Sequence, residues 1–167
     1  QGVAHLLPQS TERRLVVDIG GRSTEMILGC ELEAQTMESL RVGSVRWSMK
    51  YFPEGQFTER AFKAAEIAAK AVLEEATPLF ERQLWDTAYG SSGTVGAVSD
   101  VLSASGWPQG LITREGLDWL LDRLLKAQSA DRLKMESLKD DRRPVIGGGV
   151  SVLRAVFDLM NIETMHV

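Results

Sequence analysis

Two acids bracket a short run of glycines and hydroxyls in this chain: Asp18-Ile19-Gly20-Gly21-Arg22-Ser23-Thr24-Glu25. Glycines in a tight turn leave backbone N–H groups open to an anion, and Ser23 and Thr24 add hydroxyl donors for phosphate oxygens. Carboxylates beside a phosphate repel it unless a divalent cation lies between them. The grouping therefore calls for a hard metal such as Mg2+ held by Asp18 and Glu25. The plain alternative is a glycine-rich hairpin with an aspartate at a strand end.

A second stretch, Gly90-Ser91-Ser92-Gly93-Thr94, follows a strand pattern and opens a helical one. Free N–H groups and the positive end of the helix favour anions there; the competing reading is a tight turn with a threonine cap. A third run, Gly147-Gly148-Gly149, falls inside an otherwise helical stretch. Each glycine costs about 1 kcal/mol relative to alanine in a helix, so the run calls for close backbone approach or a broken helix. Arg142 and Arg143 stand just before it, and arginine pairs well with phosphate, although residues 139–143 also read as a solvated turn.

These residues need elements to hold them. Residues 15–18 form an apolar, β-branched run that stops in an acid and glycines, as a buried strand entering a turn does. Residues 24–28 and 36–42 read as two more strands, so the start is an antiparallel meander. Helical spacing runs over residues 59–83, with Thr58 as N-cap and Pro78 bending or ending the helix. Residues 87–89 read as a strand, Val95, Val98 and Leu102 mark a helix, and Thr113 starts an amphipathic helix carrying Leu117, Leu120 and Leu124. A polar connector with a short helix is expected over residues 128–143. Pro144 then opens a last helix toward Met160, interrupted by the three glycines, and residues 163–167 read as a strand. The order predicts a single α/β domain over residues 1–167, with a mixed five-stranded sheet flanked by helices.

Composition narrows the function classes. With 167 residues, 44% hydrophobic and 25% charged, the chain can bury an ordinary globular core. A net charge of −4 argues against binding nucleic acid through a basic surface. Cys30 is the lone cysteine, which excludes an intrachain disulfide and a thiolate metal cluster. No apolar run reaches the roughly 18 residues that span a membrane, and no secretion signal opens the chain, so a cytoplasmic protein with no membrane partner is expected. Gln1 in place of an initiator methionine points to an excised or processed piece. His5 and His166 read as ordinary surface or packing residues, and the four tryptophans as packing.

Residues 15–28, with Asp18-Ile19-Gly20-Gly21 and Ser23-Thr24-Glu25, resemble the phosphate-binding signature of the exopolyphosphatase and guanosine pentaphosphate phosphohydrolase family. Tyr51-Phe52-Pro53, the stretch from Gly90 to Thr94, Ile112-Thr113 and the stretch from Arg142 to Gly149 fall where that family has similar residues. The resemblance implies one ribonuclease-H-like lobe of the actin-like ATPase superfamily, the C-terminal lobe of a two-lobe catalytic module truncated at both ends. It implies Asp18 beside Mg2+, Gly20, Gly21, Arg22, Ser23 and Thr24 as phosphate cradle, and Glu25 as an acid of hydrolysis. Gly90, Ser91, Ser92, Gly93 and Thr94 would form the second phosphate or nucleotide loop, with Gly148 and Gly149 in a third segment.

The implied reaction removes a terminal phosphoryl group from inorganic polyphosphate or guanosine pentaphosphate. The implied partners are that substrate, the missing N-terminal lobe, which carries a glutamate proposed as general base, and a second copy of the parent. Arg22 stands where the family usually has a third glycine, and an arginine there must either keep ordinary backbone angles or hold strain. The isolated chain is expected to bind phosphate and to hydrolyse poorly. A catalytically silent nucleotide or alarmone-binding module is the alternative, and a sugar or acetate kinase lobe a third, less suited to Ser23-Thr24-Glu25.

Overall fold

The computed structural model describes residues 11–167. Strand β1 (Arg13–Ile19) alternates as a half-covered strand should, with Leu15, Val17 and Ile19 wholly buried and Asp18 on the opposite face. It pairs antiparallel with β2 (Thr24–Cys30), which pairs antiparallel with β3 (Glu33–Leu40). The meander read from the sequence is present.

Three further strands extend the sheet: β4 (Thr87–Ser91), β5 (Leu111–Thr113) and β6 (Thr164–His166). The order is β3-β2-β1-β4-β6-β5, with β1, β4 and β6 mutually parallel and β5 antiparallel at the edge. The sheet thus has six strands where five were expected. The extra one, β5, is three residues long, too short for any periodicity to register.

Among the described residues five α-helices accompany it: α1 (Ser44–Tyr51), α2 (Glu59–Leu73), α3 (Gly93–Ala104), α4 (Arg114–Ala127) and α5 (Ile146–Met160). Helix α5 buries twelve of its fifteen residues. It packs against α1, α2, α3 and α4 and touches β1, so it is the central post of the core.

Several expectations need correction. The three glycines do not interrupt α5: Gly148 and Gly149 lie where a neighbour approaches too closely for a side chain, and Gly147 lies tightly against the rings of Phe52 and Phe57. A Cβ on Gly148 would meet Ser48 N at 2.6 Å, and one on Gly149 would meet Thr94 Cγ2 at 2.6 Å. The glycines are the flat face on which α1 and the second loop rest. Helix α2 ends at Leu73, and a 3-10 stretch, Glu74–Leu79, carries Pro78. Residues 128–142 hold turns instead of a short helix. Thr58 and Thr113 cap α2 and α4 as expected, accepting from Ala61 N–H and Gly116 N–H.

Charged side chains lock the outer helices to α5. Arg154 bridges Glu66 at 3.0 Å and Asp118 at 2.8 Å, and Asp158 takes Lys70 at 2.8 Å and Arg114 at 2.7 Å. Burial pushes the Asp158 carboxyl up, but the hydrogen bonds from Lys70 and Arg114 outweigh it and hold the group below its ordinary value. A carboxyl lowered on folding adds stability that is present above the ordinary aspartate range, near pH ~4, and lost as pH falls through the folded value. Asp158→Asn is therefore expected to flatten the acid limb of the stability–pH curve. An acid limb unchanged in denaturant titrations from pH 5 downward would contradict this.

Candidate functional site

The first loop joins β1 to β2. Gly20 N–H donates to Ser23 O at 2.9 Å, which closes the turn. Its carbonyls are drawn backward: Ser44 N–H donates to Gly20 O, and the Val45 and Arg46 N–H groups both donate to Gly21 O, each at 2.9 Å. These are the first amides of α1, which have no acceptor inside the helix. With the carbonyls engaged on one side, the N–H groups of Gly21, Arg22 and Ser23 have no acceptor among the described residues. Three successive open amides make an anion-binding concavity.

Gly43, just before α1, permits this arrangement. A Cβ there would lie 2.6 Å from Arg22 N and from Gly21 C and O. Its φ of −156° is ordinary extended backbone, so the requirement is steric. Arg22 is exposed and has no positive φ, so the turn keeps ordinary angles at that position.

The strain lies in the second loop. Ser92 holds φ 108° and ψ 167°, a conformation rarely open to a residue with a Cβ, and from it caps α3 through Val95 N–H at 3.4 Å. The amides of Gly93 and Thr94 follow in the first turn, where a helix has no internal acceptor. A Cβ on Gly93 would overlap the Arg142 guanidinium, so that cation lies directly over the helix start. Arg143 is paired with Asp140 at 2.8 Å, whereas Arg142 has no carboxylate partner among the described residues.

Register brings the two loops together. Strands β1 and β4 are parallel neighbours and end side by side, with Asp18 opposite Ser91. Across β1 and β2, Asp18 is the register partner of Glu25, and Glu25 is the partner of Ser39 on β3. Ser39, Glu25, Asp18 and Ser91 thus form one row over four strands. Glu25 Oε2 accepts from Ser23 Oγ at 3.0 Å and from Ser39 Oγ at 2.8 Å, which fixes the carboxylate and leaves Oε1 without a partner among the described residues.

Not every expected site residue reaches this surface. Thr24 is wholly buried and its hydroxyl donates to Val42 O at 2.6 Å, so it braces the turn from behind. Gly90 is buried in β4, where a Cβ would meet Val95 Cγ1 at 2.8 Å. Gly148 and Gly149 stand behind the loops, and Gly148 N–H already donates to Ser48 Oγ at 3.0 Å. Gly21, Arg22, Ser23, Ser91, Ser92 and Gly93 are brought together beside Asp18 and Glu25, whereas the Thr94 side chain is buried and faces Gly149. Gly20 contributes its carbonyl to α1 and its N–H to the turn. His5 lies outside the described residues, and the His166 ring stands 5.4 Å from that of Tyr89.

Residues overlooked in the sequence include Gly43, Ser39 and all of α1. The signal for α1 was thin: eight residues, with no side-chain cap. Among the described residues no three His, Cys, Asp or Glu side chains converge as a metal centre, and Asp18 and Glu25 stand as a pair.

Guanosine-5'-triphosphate,3'-diphosphate pyrophosphatase of Aeromonas hydrophila is 38% identical over 152 residues, 91% of this chain and 30% of that protein. The Photobacterium profundum protein of the same name is 38% identical over 165 residues, 99% of this chain and 33% of that protein. The chain thus spans about a third of the length of these relatives. Among solved structures, the Aquifex aeolicus PPX-GPPA enzyme aligns with a TM-score of 0.81 at 21% identity, covering 99% of this chain and 56% of that one. An exopolyphosphatase from Cytophaga hutchinsonii aligns at 0.72 and 18% identity, with 99% and 56% covered. These two likenesses carry the fold. Residues 1–167 match the Ppx/GppA phosphatase family along their whole length, and the chain belongs to that family.

Proposed function

We propose that this chain is the C-terminal lobe of a two-lobe hydrolase that cleaves terminal phosphoric anhydride bonds of guanosine pentaphosphate or inorganic polyphosphate. The observation that carries the reading is the meeting of two amide-lined loops at the ends of parallel strands, with Asp18 and Glu25 in register beside them. The relatives named as pyrophosphatases support the substrate class.

The open amides of Gly21, Arg22 and Ser23 would hold the oxygens of one phosphoryl group. The amides of Gly93 and Thr94, with the Arg142 guanidinium over them, would hold the next. In hydrolysis a water oxygen bonds to phosphorus, the bridging P–O bond breaks and the water proton must be taken up. Glu25, fixed by Ser23 and Ser39, would steer that water through Oε1, and the general base itself would come from the companion lobe. Two carboxylates in register beside phosphate donors suit a magnesium ion, which fills its remaining positions with water and substrate oxygens, so Asp18 and Glu25 are the residues that would hold it. Bound there, Mg2+ would offset phosphate charge and polarise the phosphoryl oxygens. The lone Cys30 suits a cytoplasmic setting.

Calorimetric titration of the chain with tripolyphosphate tests the anion site. Arg142→Ala is expected to weaken binding by about tenfold or more and to shrink its salt dependence, since a charge-assisted contact to phosphate is worth roughly 1.5–3 kcal/mol. Arg143→Ala, which removes a cation already paired with Asp140, should have the smaller effect. Equal affinity for wild type and Arg142→Ala would take this residue out of the site.

A further inference from the structure

Beside the phosphate turn lies a cavity of about 750 Å³, walled by Val45, Met49, Phe52, Pro144 and Val145. Val45 is shared with the turn, since its Cγ2 stands 3.1 Å from where a Cβ on Gly21 would be. The volume suits a small organic ligand, and the wall is mainly apolar. Met49 on that wall is 70% exposed.

The rim joins two segments distant in sequence. Ala130 N–H donates to Gly55 O and Phe57 N–H to Gln128 O, both at 2.8 Å, and Gln56 bridges Ser129 in antiparallel register. Continued to the next positions, that register sets Glu54 across from Asp131, and both residues line the cavity. Like charges directly opposite on paired segments destabilise the pairing. Neither acid has a cation partner among the described residues, whereas the third acid of the lining, Asp140, is paired with Arg143 at 2.8 Å.

The apolar wall and the opposed acids together define the ligand. An anion is repelled, and an uncharged molecule leaves Glu54 and Asp131 facing each other without compensation. A metal ion makes no use of Val45, Phe52 or Val145, and no three metal-ligating side chains converge among the described residues. Methylenes carrying ammonium groups satisfy both parts. The methylenes lie on the apolar wall and the ammoniums stand at the acids, as the stems and heads of lysines do on protein surfaces. The helix layer already holds one cation between two acids in this way, Arg154 between Glu66 and Asp118.

We propose that this cavity binds a linear aliphatic polyamine, with one ammonium held between Glu54 and Asp131 and the methylenes laid along Val45, Met49 and Phe52. The ligand is no substrate, and its site is separate from the anion-binding loops. A polycation held beside the turn and a polyanion bound in it strengthen each other's binding, a coupling that rests on the phosphate reading above.

Calorimetric titration of the chain with spermidine, without phosphate present, tests the site. Ammonium ion, which has the charge without the methylenes, and octanediol, which has the methylenes without the charge, are each expected to bind at least about tenfold more weakly. Glu54→Ala combined with Asp131→Ala, at two exposed positions, should weaken spermidine binding by about tenfold or more. Glu33→Ala combined with Glu38→Ala removes the same charge from exposed positions of β3 and should leave it close to wild type. Undiminished spermidine affinity in the first double variant, an equal loss in both, or octanediol binding as tightly as spermidine would overturn the proposal. Tripolyphosphate titrated alone reports on the turn: no binding there, with the spermidine site intact, would sink the phosphate reading and leave the cavity standing.

Discussion

In the proposed two-lobe enzyme, Asp18→Ala and Glu25→Ala are each expected to lower phosphate release by at least about a hundredfold, the range for groups that hold a metal or handle a proton in the transition state. Both side chains lie on the face of the sheet opposite the core, so Leu15, Val17 and Ile19 keep their packing. Asp18→Ala should then leave the fold close to wild type. Glu25→Ala also removes the acceptor of two hydroxyls and should cost about 1 kcal/mol more. Glu25→Gln separates chemistry from bracing, because its carbonyl still accepts from Ser23 and Ser39 but lacks the charge that would hold a metal and orient the water. Turnover lost in both Glu25 variants, with melting temperature retained, marks a reaction role. Full turnover in Glu25→Gln would reduce Glu25 to a brace for the turn, and unchanged turnover in both alanine variants would remove the pair from the site.

The first meander and the glycine turn were legible because both signals are local: alternation in β1 and a change of residue type at Gly20. The neighbouring second loop was legible for the same reason, since a strand pattern, small residues and a helix pattern follow one another within a dozen positions. What was not legible depends on partners distant in sequence. Gly148 reads as an anomaly in a helix until Ser48, a hundred positions away, takes its N–H. Thr24 looks like a ligand for phosphate and is instead turned toward Val42. Arg142 could not be told from Arg143 by sequence, since only the fold seats one over Gly93 and the other on Asp140. Helix α1 was hidden because its first turn is satisfied by carbonyls of the glycine turn in place of a side-chain cap.

That dependence of the glycine turn on α1 is testable at one atom. Gly43→Ala places a methyl group 2.6 Å from Arg22 N and from Gly21 C and O, all backbone, so no side chain can swing aside. Either the turn or the start of α1 must move, and the bonds from Ser44, Val45 and Arg46 to the Gly20 and Gly21 carbonyls lengthen or break. Overpacking of this kind costs about 1–3 kcal/mol. The larger effect falls on binding, because the carbonyls no longer hold the Gly21, Arg22 and Ser23 amides toward the anion. Tripolyphosphate affinity should fall by about tenfold or more, in line with the loss of one or more charge-assisted hydrogen bonds. Gly96 supplies the control: it lies in α3, near the second loop, and a Cβ there meets nothing within 4 Å. Gly96→Ala should therefore stabilise the chain by roughly 0.5–1 kcal/mol through helix propensity and leave binding unchanged. If Gly43→Ala bound tripolyphosphate as well as Gly96→Ala, the turn would not owe its open amides to α1.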